Sequence, residues 1–359
     1  MPILWRYLLK DYLRIFLLCI IAFVCILLVM RSQEIARFAI ISPNPWLVLL
    51  FTLYQIPSIL PFAIPISGLI ASMVLIQTLS HTQELTSLRA CGCNLSMIYT
   101  PLIFSALFFS LINFLIISEL SPRCKLRTTA LLYDTVSSNP LILFKKNKFI
   151  KVRKSFVDIK IADNEKEAND LVFVFLDDSS QKLSLIHADR LELQNSVLKG
   201  FNLSMVSGLN VSNSFDDLMI ENQEEMSMDA HSLSNMLQKG EKSSHDDQLP
   251  TKACLLKYKN SSVHRYSTLF EIYKRLFFTI IPFTFIILGC SFGLKIGRGS
   301  NKQSTQYVLF LSLLIFICYL LGKSLHKHPT IVLLIYLLSH CTVLSLCLIA
   351  IKRREKGIE

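Results

Sequence analysis

The sequence predicts an α-helical membrane protein with six transmembrane helices in two groups of three and an antiparallel-β domain inserted between the groups. Three observations lead there. Of 359 residues, 52% are hydrophobic and only 18% charged, against about 25% charged in an ordinary soluble domain. The apolar residues are gathered into long charge-free runs near both ends of the chain. Between those ends lie about 150 residues in which short runs of alternating polarity follow one another.

The first three runs have no Asp, Glu, Lys or Arg over 16 residues between Arg14 and Arg31, 46 between Arg37 and Glu84, and 29 between Arg89 and Glu119. After Arg275 come 19 residues to Lys295, 20 between Lys302 and Lys323, and 24 between Lys327 and Lys352. A hydrocarbon core of ~30 Å takes ~20 apolar residues at 1.5 Å per residue. One such run also suits a buried core helix; six do not. Arg6, Lys10 and Arg14 resemble the basic start of a signal peptide. The apolar stretch runs on to Met30 with no small-x-small cleavage site, so it is read as an uncleaved first helix. The 46-residue run is too long for one span. Pro43 and Pro45 suit a loop, whereas Pro57, Pro61 and Pro65 recur every four residues and predict a broken second helix from about Leu47 to Leu79. Such a kink either borders a cavity or is absorbed by neighbouring helices.

The formal charge is +11. The segment from Glu119 to Arg275 holds 22 of the 37 basic residues and 21 of the 26 acids, so nearly all the excess flanks the apolar runs. That is a membrane signature and not a nucleic-acid one. With six spans both termini share a side, and that side's short loops and termini hold eleven Lys and Arg against Arg31, Arg37, Lys323 and Lys327 on the other. The positive-inside rule therefore predicts cytoplasmic termini and an extracytoplasmic middle domain. Of ten cysteines, only Cys124 and Cys254 fall in the middle segment. An oxidising compartment would permit a disulfide there, although nothing in the sequence says that the two meet. Cys91 and Cys93 do not have C-x-x-C spacing, and no metal site is expected.

From Phe149 the pattern becomes period two. Phe149-Ile-Lys-Val-Arg, Phe156-Val-Asp-Ile-Lys-Ile, Lys182-Leu-Ser-Leu-Ile-His-Ala and Arg190-Leu-Glu-Leu-Gln alternate, and Leu171-Val-Phe-Val-Phe-Leu is a continuous apolar run. Turn residues separate them, as expected for antiparallel β. Residues from about Ser232 to Lys259 are polar and read as loop or short helix. Ser267 to Arg275 has helical apolar spacing and runs into the fourth span.

Catalytic signatures are missing. The sequence has no G-x-x-x-x-G-K-(S/T), no H-E-x-x-H and no G-x-S-x-G, and the apolar runs contain no Asp or Glu. An ion-coupled transporter or an intramembrane protease needs buried ionisable groups. His340 reads as packed, and His326 and His328 as interfacial. Two features stand out. Ser80 to Ser96, between the second and third helices, reads as a short cytoplasmic helix with Glu84 in its first turn, an apolar side of Leu85 and Leu88, and a stop at Gly92. A helix lying on lipid would carry more basic residues than Arg89, so docking into a partner's groove fits better. Arg31, Glu34 and Arg37, at the outer end of the first helix, form either a snorkelling helix end or an anion site suited to phosphate.

The chain resembles the LptF/LptG (YjgP/YjgQ) permease family, the membrane subunits of the ABC transporter that extracts lipopolysaccharide from the bacterial inner membrane. The resemblance spans nearly the whole chain. It is carried by Trp5-Arg-Tyr-Leu-Leu-Lys, by Leu60-Pro-Phe-Ala-Ile-Pro, and above all by Gln83-Glu-Leu-Thr-Ser-Leu-Arg-Ala-Cys-Gly. The last is similar to the family's Ser-Glu-(Leu/Ile)-x-x-(Leu/Met)-x-Ala-x-Gly. Glu271 and Arg275 match its Glu-x-x-x-Arg before the fourth helix. Gln83 departs from the usual Ser, leaving Thr82 or Ser80 to cap the helix. Ala90-Cys-Gly and Ser138-Asn-Pro lean toward the F side.

The resemblance implies helices 1–3 over residues 1–120 with a coupling helix at about 81–92, a periplasmic β-jellyroll over 121–265, and helices 4–6 with a short tail over 266–359. It implies a non-catalytic subunit without cofactor or metal, beside a cytoplasmic ABC ATPase dimer, a second homologous permease and a membrane-anchored periplasmic bridge protein with a similar jellyroll. Glu84, Leu85, Leu88, Arg89 and Gly92 would then make the ATPase contact. Lipid A phosphates need cations near the outer leaflet, where Arg31, Arg37, Lys323 and Lys327 are expected. The alternative is a mechanotransmitting ABC subunit that acts on a periplasmic partner and carries no lipid.

Overall fold

The computed structural model describes residues 3–42, 44–92, 94–138, 149–152, 155–161, 167–176, 182–194, 197–210, 219–229, 246–260, 265–293, 302–325 and 328–355. His326, Lys327, Lys295, Arg298, Cys93 and the Asn139-Pro140 pair lie outside them. Six helices among the described residues are long and apolar enough to cross a membrane: Ile3–Met30, Pro45–His81, Ser96–Thr135, Arg265–Gly293, Gln303–Ser324 and Pro329–Arg354. The chain divides into two compact units. One comprises Met1–Gln33, Leu50–Arg127 and His245–Glu359, and the other Glu34–Leu49 and Thr128–Ser244.

The helices begin with α1 (Ile3–Met30), followed beyond Arg31 by α2 (Ser32–Ile41), most of which falls in the other unit. α3 spans Pro45–His81 and α4 spans Glu84–Ala90. α5 (Leu95–Leu115) passes through one π turn, Ile116–Leu120, into α6 (Ser121–Ser138). After the soluble domain come α7 (Thr251–Asn260), α8 (Arg265–Gly293), α9 (Lys302–Ser324) and α10 (Pro329–Glu355). α3 and α8 are each two-thirds buried over their most apolar windows, whereas α1 is 6% buried there, so α3 and α8 are the central helices and α1 is peripheral.

α3 is helical without interruption through Pro57, Pro61 and Pro65, where the sequence reading expected a break. Each proline removes one backbone bond, but lipid offers no replacement partner, so the remaining ladder is worth keeping. Ser58 Oγ donates to the Gln55 carbonyl at 2.7 Å within this stretch.

α8 belongs to two cores. Ile286 and Cys290 pack with Leu8, Tyr12 and Phe16 of α1, Ala71, Leu75 and Ile76 of α3, and Ile98, Leu102 and Phe109 of α5. Phe277, Ile281, Phe285 and Leu288 pack with Val308 and Ile315 of α9 and Val332, Tyr336 and Val343 of α10. Phe277 stacks on Tyr336 with centroids 4.3 Å apart, and His340 lies 4.8 Å from the same ring, a packed histidine as expected.

The close approach of α3 and α8 depends on glycine. A Cβ at Gly289 would meet the Ser72 hydroxyl and stand 2.6 Å from the Leu69 carbonyl oxygen. A Cβ at Gly293 would stand 3.1 Å from the Met73 carbonyl, and one at Gly68 2.9 Å from Ile286. Small residues let backbones meet where lipid supplies no hydrophobic drive between helices. α5 is joined to α8 differently. Pro282 has no N–H, which leaves the Phe278 carbonyl without its helical donor. Asn113 Nδ2 donates to that carbonyl at 2.7 Å, and Ser110 Oγ to the Thr279 carbonyl at 2.5 Å.

In the second unit, six described strands form one antiparallel sheet in the order β1-β2-β3-β4-β5-β6, each paired with its neighbour in sequence. They are β1 (Phe149–Val152), β2 (Ser155–Ile161), β3 (Glu167–Leu176), β4 (Lys182–Gln194), β5 (Val197–Asn210) and β6 (Met219–Asp229). The two alternating runs at Lys182 and Arg190 fuse into the single strand β4, with Val172 opposite His187 on one side and Ser204 opposite it on the other.

Two substitutions test the bundle. Gly289→Ala is expected to destabilise by about 1–3 kcal/mol, because the Leu69 backbone cannot swing aside as a side chain does. Asn113→Leu is expected to lose about 1 kcal/mol by baring the Phe278 carbonyl. Thermal unfolding of the detergent-solubilised protein measures both, and unchanged melting would exclude the seam and the carbonyl bond as supports.

Candidate functional site

Most of the described residues singled out in the sequence lie toward two ends of the helical unit. At one end stands α4. Its first turn carries Glu84, whose Oε2 accepts a hydrogen bond from Tyr7 Oη at 3.2 Å. Leu85 is buried at 2% exposure in the core with Leu8, Ile98 and Leu102, and Leu88 packs against the same core beside Leu4. The apolar side of the helix is therefore occupied by the chain's own α1 and α5. The outward face consists of Thr86, Ser87, Ala90 and Cys91, with Glu84 and Arg89 half-buried at its margin.

The N-cap position is Gln83, not Thr82 or Ser80. Its backbone is left-handed at φ 60° and its side chain does not cap the helix. Instead Gln83 Oε1 accepts from Thr86 Oγ1 at 3.0 Å, and its carbonyl accepts from Ser87 Oγ at 3.1 Å. The C-terminal stop falls where the sequence indicates. Gly92 has φ 81°, and its N–H donates to the Arg89 carbonyl at 2.9 Å. A glycine adopts that conformation without steric cost.

The other end is built around Arg275. Its side chain is 4% exposed and is fully engaged. Nε pairs with Glu271 Oε1 at 3.2 Å, Nη1 donates to Thr251 Oγ1 at 2.9 Å, and Nη2 donates to the carbonyls of Leu249 at 2.7 Å and Asp246 at 3.2 Å. Lys274 Nζ pairs with Glu271 Oε2 at 2.6 Å. Asp246 is a second centre: its carboxylate accepts from Lys257 Nζ at 2.6 Å and Ser267 Oγ at 2.7 Å. Asp247 pairs with Lys125 of α6 at 3.1 Å. A guanidinium fork suits such a junction because one planar group satisfies several carbonyls at once. The matched pair Glu271 and Arg275 thus fastens the segment returning from the soluble domain onto α8, a role that spacing alone did not indicate.

Beside this clamp opens a cavity of about 600 Å³, lined by Lys323 of α9 and by Lys274, Glu271, Phe270 and Tyr319. Of the phosphate candidates, Lys323 stands in its wall. Lys274 joins it there; the sequence reading missed it because Lys274 sits in a charged stretch with no motif of its own. Arg31 lies in the helical unit, where its Nη1 donates to Gln55 Oε1 at 3.3 Å. Arg37 lies on α2 in the other compact unit, and Lys327 lies outside the described residues. Cys124 and Cys254 are both buried, and no disulfide joins them. Burial pushes the Cys254 thiol above its ordinary range, offset in part by Arg275. Among the described residues no cluster of His, Cys, Asp or Glu is arranged to hold a metal.

Arg275→Gln is expected to cost about 3 kcal/mol, since it leaves Glu271 buried with only Lys274 and removes donors from two carbonyls. Gly92→Ala, strained by its φ and not by space, is expected to cost about 1 kcal/mol. Differential melting of the purified variants reads both.

No curated protein matches the chain. The family model for the lipopolysaccharide export system permease LptF/LptG matches residues 6–353, a range that reaches into all six apolar helices and covers both α4 and Arg275. The protein belongs to the LptF/LptG family of lipopolysaccharide export permeases, as a multi-pass membrane subunit.

Proposed function

We propose that this chain is one of two related permease subunits that extract lipopolysaccharide from the inner membrane toward a periplasmic bridge, driven by a separate cytoplasmic ATPase dimer. The carrying observation is the α4 end of the bundle. Leu85 and Leu88 fix the helix to α1 and α5, while the small residues Thr86, Ser87 and Ala90 face outward with Glu84 and Arg89 half-buried at their margin. A rigidly held helix with a polar, small-residue face can transmit a push from a partner's groove into the bundle. The chain has no nucleotide-binding motif, so the energy is supplied by the partner.

On this reading both termini and α4 are cytoplasmic, as the Lys and Arg bias requires, and the domain over 121–265 is periplasmic. Lys323 and Lys274 then stand at the outer end, where lipid A phosphates reside, and the apolar spans supply a wall for acyl chains. Arg31, Arg37 and Lys327 belong to the same outer set by their positions along the chain.

The test is co-purification in mild detergent with identification of proteins and lipids. An ATPase, a second six-helix permease and bound lipopolysaccharide are expected. Glu84→Ala is expected to lose ATPase association or export by about tenfold, equal to about 1.4 kcal/mol of coupling. Tyr7→Phe, which removes only the internal bond to Glu84, is expected to retain both. Unchanged export in Glu84→Ala would sink the coupling role. An ATPase without lipopolysaccharide would favour a mechanotransmitting subunit instead. A membrane-impermeant maleimide should reach Cys91, in a variant keeping that cysteine alone, only in inside-out vesicles.

A further inference from the structure

The ten residues of α7 have a pattern that the transport reading does not use. Lys252, Leu255, Leu256 and Lys259 follow the spacing i, i+3, i+4, i+7 and so share one helix face. All four are exposed, Leu255 at 51% and Leu256 at 62%. The opposite side is engaged. Cys254 is fully buried, Thr251 accepts from Arg275, and Lys257 is paired with Asp246. The helix contains no Asp or Glu, and Arg265 lies over the Tyr258 ring at 4.7 Å just beyond its end.

Its depth relative to the spans is fixed by contacts. Thr251 Oγ1 reaches the Ser118 carbonyl at 3.5 Å as well as Arg275. Ser118 and Arg275 sit where the charge-free stretches of α5 and α8 meet their first charged residues, Glu119 and Arg275 itself. Those residues mark the boundary of the hydrocarbon, so α7 lies at that boundary. Two leucines flanked by two lysines on the outward face of a helix at this level match an interfacial helix. The apolar pair enters the acyl boundary while the ammonium groups reach up to phosphates.

We propose that α7 is an interfacial helix that seats on the phospholipid leaflet on the soluble domain's side, with Leu255 and Leu256 among the upper acyl carbons and Lys252 and Lys259 on anionic headgroup phosphates. It anchors the returning segment to the bilayer surface at the level set by the Arg275 clamp. The proposal requires only that the bundle spans a membrane; it does not depend on what the complex carries, so it stands or falls separately from lipopolysaccharide export.

The test uses the full-length chain with Trp5 and Trp46 replaced by Phe and with Leu256→Trp introduced. The protein is reconstituted in nanodiscs of phosphatidylcholine and phosphatidylglycerol. With acyl chains brominated near the headgroup, the emission of the introduced indole is expected to fall about twofold, while aqueous iodide has little effect. Adding Lys252→Gln and Lys259→Gln is expected to remove about half of that quenching, and only when phosphatidylglycerol is present. Emission quenched by iodide and indifferent to bromine would mean a solvated helix, and emission protected from both would mean a face covered by protein. Either result overturns the proposal. If Leu256→Trp fails to fold, Leu255→Trp on the same face gives the same readout.

Discussion

Lipid offers no hydrogen bonds, and that one constraint organises the helical unit. Every carbonyl freed by a proline or by the end of a helix must find a donor within the protein. Pro282 frees the Phe278 carbonyl, and Asn113 of α5, 165 residues earlier in the chain, supplies the amide. At the polar boundary the same need is met by Arg275, which takes two backbone carbonyls, a hydroxyl and a carboxylate at once. These contacts join segments more than 160 and about 25 residues apart in sequence. They fix α5 and the return from the soluble domain against α8.

α8 therefore does more than cross the membrane. Its glycines admit α3, its proline recruits α5, its phenylalanines build the core with α9 and α10, and its first three turns hold the Asp246–Thr251 segment. At its far end the guanidinium of Arg354 donates to the Ser291 carbonyl and lies over the Phe292 ring, so α10 also closes onto it. A motion imposed on α4 enters a bundle whose helices all refer to this one. α4 rests on Leu8, Ile98 and Leu102, in the same core that contains Ile286 and Cys290 of α8. On the function proposed above, a partner's push at the polar face of α4 would enter the bundle through this shared core.

The apolar stripe of α4 carries a general lesson. Leu85 and Leu88 at helical spacing say that one side of the helix is buried, but not what buries it. The sequence suggested a partner's groove; the structure gives that stripe to α1 and α5 and leaves a small, polar face outward. Glu271 and Arg275 likewise stood out only as a Glu-x-x-x-Arg match before the fourth helix, while in the structure Arg275 pairs with Glu271 and holds the Asp246–Thr251 segment. In each case the pattern was correct and its partner was not legible. The partner is contributed by residues distant in sequence.

What the sequence determined by itself is what depends on local regularity. Runs of about 20 uncharged residues set the six spans, because the bilayer's thickness imposes that length. Period-two alternation set the antiparallel strands, because side chains there point to opposite faces. Gly92 set the end of α4, because the turn needs a positive φ. What only the tertiary structure decided is which helices are central, which face of α4 is free, why α3 stays helical through three prolines, and where α7 sits. Those outcomes rest on meetings such as Asn113 with Phe278, Gly289 with Leu69, Tyr7 with Glu84 and Thr251 with Arg275. None of these pairs shares a local pattern, so each is fixed only when the helices pack.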